Sequence, residues 1–495
     1  MRAWWISACF CVCSSAAFAQ SLDDVLDGFD NAPTPAVVDS STAVDSFAEV
    51  DSPAEVDSPA ASADGKSAGD LTGSVVLGSS YNYRDHESRN GTDWQGLSKL
   101  RTRLNLQYDY QWSSDWQSRI SGYGFYDWAY DIRGRSKYSE DVLDENEHDA
   151  EWQEVWLRGK LRDDLDIKIG RQVVIWGRAD SLRVLDVLNP LDNREPGLAD
   201  IEDLRLPVGM LKTDWFFAEH WQASFIAIPE VRFSKNPPQG SDFAVVASPL
   251  YGGQMSVLAE EKPDSFQDSR FAMSLTGTFS GWDMSLNAAH LWRDTPYLHV
   301  GGPYSLAMPV TVLQQLEFRH SSMDMLGASA NLISGSWLYK TELAWFDGID
   351  YTLSAPTVVP ALGVVELPSS NVEKQRADFM LGVEYFGFSN TALSLEMANR
   401  HIFDFDPAMK PLFEKQDVLE TALRYTGNFM NDRLEVTALA IAFGERAQDG
   451  SLWRLQGAYD VRDALVLTVG VVDYRYGDLP PFTTIENNDR IFAEL

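Results

Sequence analysis

Cysteine is nearly missing from this chain of 495 residues. The three present, Cys9, Cys11 and Cys13, all sit at the very start. If that start is removed on export, no disulfide, thiol nucleophile or cysteine metal site remains. Basic residues are also scarce, 40 Lys and Arg against 73 Asp and Glu, for a formal charge of -33. A nucleic-acid partner needs a basic face, so that class is excluded. Beyond the first twenty residues no apolar run reaches the ~18 residues a membrane helix requires. Histidine is sparse too: His86, His148, His220, His290, His299, His320 and His401. None lies in a G-x-S-x-G or H-E-x-x-H setting, so each reads as structural, and no catalytic, cofactor or metal site is expected.

What is present begins with residues 1–19, MRAWWISACFCVCSSAAFA. Arg2, the apolar stretch Ala3 to Val12 and Ala17-Phe18-Ala19 have the layout of a secretory signal peptide with an A-x-A cleavage site. Gln20 stands where a lipoprotein would carry its lipidated cysteine. Residues 20–70 hold twelve Asp and Glu against Lys66 alone. Ser21 to Phe29 can form a short amphipathic helix, and the Ser, Ala, Pro and Asp that follow, with the small repeat AEVDSPAEVDSPA, read as a disordered acidic periplasmic linker.

From Leu71 onward the pattern alternates. In Ser98 to Tyr110, Leu100, Leu104, Leu106, Tyr108 and Tyr110 share one face, opposite Lys99, Arg101, Arg103, Asn105, Gln107 and Asp109. The same period of two recurs at Arg270 to Phe279, Arg376 to Tyr385 and Trp453 to Tyr459. In lipid the polar face must look inward. Short connections, such as Arg162 to Asp164, Ser280-Gly281 and Ser389-Asn390, alternate with long ones, including Asp131 to Asp149, Arg232 to Asp268 and Gly348 to Lys374. Short periplasmic turns and long external loops alternate in this way in outer-membrane barrels, and sixteen Trp and eighteen Tyr suit the interfacial girdles. A large secreted β-rich enzyme shares that composition. The expected fold is all-β: a transmembrane antiparallel β-barrel of about eighteen strands, or sixteen, over residues 71–495. Its location would be the outer membrane of a Gram-negative bacterium, in contact with lipid and lipopolysaccharide.

One stretch stands apart, GRQVVIWGRADSLRVLDVLNPLDNREPGLADIEDLRLPVGM from Gly170 to Met210. Val173 to Trp176 reads as a strand. After Gly177, Arg178, Arg183, Asp186, Asp192, Arg194, Glu195, Asp200, Glu202, Asp203 and Arg205 alternate with leucines and valines, and Pro190, Pro196 and Pro207 prevent one long helix. Charges for a wet side and leucines for a packed side suit a loop, residues 177–207, folded into an aqueous lumen as its constriction. Lys99, Arg101 and Arg103 would then face it from the wall, either as ion pairs that pin the loop or as one side of a transverse field. The acidic run Ser139 to Glu151 lacks the spacing of a Ca²⁺ loop and reads as a solvated connection.

The GRQVVIWG and VLDVLNPLDNREPGLADIEDLRLPVGM motifs, with LDDVLDGFD near the start, resemble a family of proteobacterial outer-membrane barrels of unknown function. That resemblance implies a porin-like channel for small or amphipathic molecules. It also implies a setting beside an RND-type exporter and a periplasmic lipid-carrier-like protein. A structural or adhesion barrel with a plugged lumen, or an outer-membrane hydrolase, would be the alternatives.

Overall fold

The structure is a computed structural model that describes residues 68–84, 92–198, 204–244, 260–301, 316–359 and 363–495. The expected leader, the N-terminal helix and nearly all of the acidic linker lie outside these residues. Eighteen strands form one sheet. In chain order they are β1 (Ala68–Asn82), β2 (Gly96–Gln111), β3 (Trp116–Asp127), β4 (His148–Arg162), β5 (Leu165–Gln172) and β6 (Val208–Ala218). Then come β7 (Trp221–Ile228), β8 (Arg270–Phe279), β9 (Trp282–Trp292), β10 (Ser322–Ser334), β11 (Trp337–Val359) and β12 (Gly363–Phe388). The last six are β13 (Thr391–Ile402), β14 (Asp417–Phe429), β15 (Leu434–Phe443), β16 (Gly450–Arg462), β17 (Leu465–Arg475) and β18 (Arg490–Glu494).

Each strand pairs antiparallel with the next, and β18 closes the barrel on β1 from Gly78↔Glu494 to Asn82↔Arg490. Every backbone donor along such a wall has a partner, which is why a closed barrel can sit in lipid at all. The alternation expected for β2 is realised: Leu100, Leu104, Leu106 and Tyr108 are exposed outward, while Lys99 is buried on the lumen side. Outward Ile120, Ile169, Phe225, Leu286, Leu343 and Leu381 continue the apolar belt around the wall. At the short-turn end, exposed Trp112, Trp215, Trp282, Trp337 and Phe388 form an aromatic rim.

Two local expectations are corrected. Val173 to Trp176 is not strand, because β5 ends at Gln172. The Val174 N–H donates to Asn189 Oδ1 at 2.8 Å instead of to a neighbouring strand. Gly348 to Lys374 is not an irregular loop but the continuation of β11 and β12, paired from Ile349↔Lys374 out to Val359↔Gly363. β-Branched Thr352, Thr357, Val358, Val364 and Val372 favour that extended hairpin. The acidic run after Ser139 is a short helix, α1 (Glu140–Asn146), N-capped by the Ser139 hydroxyl.

The main apolar core lies inside the barrel. Leu182, Val184, Leu185, Leu188, Leu191, Leu198 and Leu204 of the connection after β5 cluster with inward Met210, Met325, Phe346, Met380, Ile441, Leu452 and Tyr474 from the wall. Burying each leucine contributes about 1.5–3 kcal/mol, so the core holds the connection inside the wall. The outer face predicts detergent dependence. Folded protein in micelles should give a β-type circular dichroism spectrum and migrate differently on gels before and after boiling. A monodisperse protein in buffer without detergent would contradict the fold's placement in lipid.

Candidate functional site

The connection from residue 173 to 207 leaves β5 and returns to β6 through a narrow neck. Asn189, fully buried, holds both legs: its Nδ2 donates to Gln172 O at 3.3 Å and to Leu206 O at 3.0 Å. Leu206 N–H to Pro190 O (2.7 Å) and Asp192 N–H to Leu204 O (2.6 Å) add two rungs.

Beyond the neck the chain crosses the lumen. On one side, Glu342 of β11 accepts from the N–H groups of Arg178, Ala179 (2.6 Å) and Leu185 (3.1 Å). Glu396 of β13 accepts from Asp180 (2.8 Å), Ser181 (2.8 Å) and Leu182 (3.1 Å). Gly177 makes the first contact possible. Its φ is +97°, and a Cβ there would lie 2.7 Å from Glu342 Oε1. Lys340 pairs with both Asp180 and Glu384 beside these carboxylates.

On the opposite side, Glu195 meets Lys99 and Arg101, each at 2.8 Å. Arg194 reaches Asp149 of β4 at 3.1 Å, and the Tyr474 hydroxyl of β17 donates to Pro196 O. Burial opposes the charge on Glu195, but Arg101 and Lys99 outweigh it and hold its carboxyl far below the usual range. A carboxyl with a depressed value stabilises the fold throughout neutral pH, and its contribution is lost only in strong acid. Asp192 is also lowered: burial opposes this, and Arg194 and Lys235 prevail.

The other site residues from the sequence reading are placed as follows. Arg178 pairs with Asp283 of β9 at 2.6 Å. Arg183 and Arg205 both turn to Asp186, at 3.7 and 2.9 Å, and Asp192 pairs with Arg194 at 2.6 Å, so these contacts stay within the crossing segment. Arg103 lies 4.2 Å above the Tyr123 ring and donates to Asn105. Asp200, Glu202 and Asp203 lie outside the described residues. Among the described residues no group of three or more His, Cys, Asp or Glu is placed to hold a metal.

Sequence reasoning missed the partners on the far wall, Glu342 and Glu396, which look like ordinary inward polar positions of alternating strands. It also missed a second inward segment, residues 229–244. There Lys235 pairs with Asp149 and Glu151, at 2.9 and 2.8 Å, and Ser234 Oγ accepts from Leu191 N–H at 2.7 Å.

Cavities flank the crossing. One, of about 300 Å³, lies between the crossing and β1 to β3 and includes Lys99, Arg101, Arg103, Tyr123, Asp192 and Glu195. Another, of about 90 Å³, lies towards β8 to β13. With this geometry in hand, the family model for DUF1302, a protein family of unknown function, matches residues 3–463. The chain belongs to that family.

No curated protein matches the chain of this DUF1302 member. Among solved structures it is similar to OccAB1 of Acinetobacter baumannii, with 11% identity, a TM-score of 0.49, and coverage of 86% of this chain and 95% of that one. It is also similar to a BenF-like porin from Pseudomonas fluorescens, with 11% identity, a TM-score of 0.46 and coverage of 86% and 98%. A third is OpdK of Pseudomonas aeruginosa with vanillate, at 11% identity, a TM-score of 0.44 and coverage of 86% and 98%.

The carboxylate caps carry a direct prediction. Glu396→Ala strips three N–H groups of their acceptor, those of Ser181 and Leu182 buried, at about 1–3 kcal/mol for each buried unsatisfied group. The expected result is a lower thermal midpoint and faster amide hydrogen exchange across residues 178–186. Glu396→Gln, which keeps an acceptor oxygen, should fall between alanine and the parent. Unchanged exchange in the alanine variant would contradict the role given to this cap.

Proposed function

We propose that this chain is a passive channel of the Gram-negative outer membrane for small or amphipathic molecules, with the segment 177–207 as its constriction. The observation that carries this reading is the crossing itself. A single segment is bound to opposite walls of a charged lumen and leaves a cavity on either side. A barrel of eighteen strands is wide enough to leak, and a bound cross-piece is a way to narrow it. Its contacts on the outer face would be lipid and lipopolysaccharide. A periplasmic carrier and an RND-type exporter are retained as partners on the sequence resemblance alone.

Deleting Asp192 to Asp203 should raise single-channel conductance in planar bilayers roughly twofold or more, since the cross-piece is then shortened. Arg101→Glu together with Arg103→Glu should move ion selectivity towards cations. A deletion variant that folds and conducts as the parent does would place the constriction elsewhere.

A hydrolase reading has one observation in its favour. On the outward face, Ser322 Oγ lies 3.3 Å from His290 Nε2, and His290 Nδ1 lies 2.7 Å from Asp324. This is the order of a nucleophile, base and orienting acid. His401 makes the same cross-strand contact to Asp417 at 2.8 Å, which favours a structural rim contact in both places. Purified protein should therefore leave short-chain p-nitrophenyl esters intact. Turnover that Ser322→Ala abolishes would establish the hydrolase instead.

A further inference from the structure

The cavity towards β8 to β13 has more cation in its wall than its acids neutralise. Asp186 is taken by Arg205 and Arg183. Asp378 is taken by Arg376 at 2.9 Å and Arg400 at 4.0 Å. Asp294 accepts from the backbone and hydroxyl of Ser234. Arg270 and Arg293 remain. Both line the cavity and both are buried, with 4% and 6% of their surface exposed. Among the described residues neither has a carboxylate within salt-bridge distance. Arg270 donates only to Glu230 O, at 2.9 Å, and its Nε has no partner. Arg293 donates to Asp350 O at 3.1 Å and lies over the Tyr351 ring.

The register brings the two together. β8 and β9 pair through His290↔Phe271. Arg270 directly precedes Phe271 and Arg293 follows Trp292, so both stand where this ladder ends, and both line the same cavity. Two buried guanidiniums with no carboxylate in salt-bridge distance form a costly arrangement that a ligand carboxylate relieves by accepting from their N–H donors. Next to them the wall is apolar: Val184, Leu188, Met323, Phe346 and Ile349 all line the same cavity. Inorganic phosphate would lose hydration against that wall. The neighbouring Asp186, Asp294 and Asp378 disfavour a second negative charge.

We propose that this cavity is a binding station for an amphipathic organic monoanion, its carboxylate held by Arg270 and Arg293 and its hydrocarbon laid on Phe346, Met323 and Leu188. The proposal rests on the channel reading and names the class of permeant.

Hexanoate and its neutral counterpart 1-hexanol are suitable probes. In planar bilayers with KCl, hexanoate should block the parent's current at a concentration at least about tenfold lower than 1-hexanol, a difference of ~1.4 kcal/mol. Arg270→Gln with Arg293→Gln should erase that difference. The detergent-solubilised parent provides a readout that needs neither variant nor conduction: hexanoate, and not 1-hexanol, should raise its thermal midpoint. If the parent conducts KCl but the two compounds act alike in both assays, the station is refuted and the channel stands. If the parent does not conduct, the channel reading falls, and the permeant station falls with it.

Discussion

An irregular segment cannot cross a barrel unless its backbone N–H groups find acceptors away from the sheet. Here two carboxylates meet that requirement. Glu342 and Glu396 stand on strands one strand apart and between them accept six consecutive or nearly consecutive amides of residues 178–185. Burial raises the penalty for losing these hydrogen bonds. Removing that pair of caps would leave the crossing held to the far wall by its leucines and by the Lys340–Asp180 and Arg178–Asp283 pairs, with six amides short of an acceptor. Gly177, whose missing Cβ admits the Glu342 carboxylate, belongs to the same constraint.

Given that anchorage, the rest of the interior follows. The leucines of the crossing meet inward methionines and phenylalanines of the wall and make a core inside what would otherwise be open water. Its charges are sorted by reach. Those near the neck, Arg183, Asp186 and Arg205, satisfy one another, while Arg194 and Glu195 at the far end reach the wall. A partition results, with charged residues lining the cavity on each side.

The barrel was legible in the sequence because its period of two is imposed by lipid on every strand, as at Leu104, Leu106 and Tyr108, and because turn lengths alternate. A count of about eighteen strands, or sixteen, follows on that basis, and eighteen are present. The amphiphilic character of Arg178 to Leu206 was legible for the same reason: composition records which side is wet. Contacts between distant strands leave no such trace. Glu342 and Glu396 occupy inward positions where any polar residue would suit the pattern, so nothing marked them as caps. Val173 to Trp176 has strand composition, yet Asn189 diverts its backbone. The hairpin beyond Gly348 reads as a loop in the sequence because no strict alternation marks it there, although its strands pair out to Val359↔Gly363.

The central claim is that residue 195 sits against the β2 wall inside the lumen of the membrane-embedded protein. Thiol cross-linking tests it most directly, since the sequence has no cysteine after residue 13. Lys99→Cys with Glu195→Cys, treated with a short bis-maleimide in native membranes, should cross-link in high yield. The same reagent should leave unlinked a control pair with the first thiol moved to outward-facing Leu104. Equal yields in both pairs, or no link at position 99, would mean that the crossing lies outside the pore.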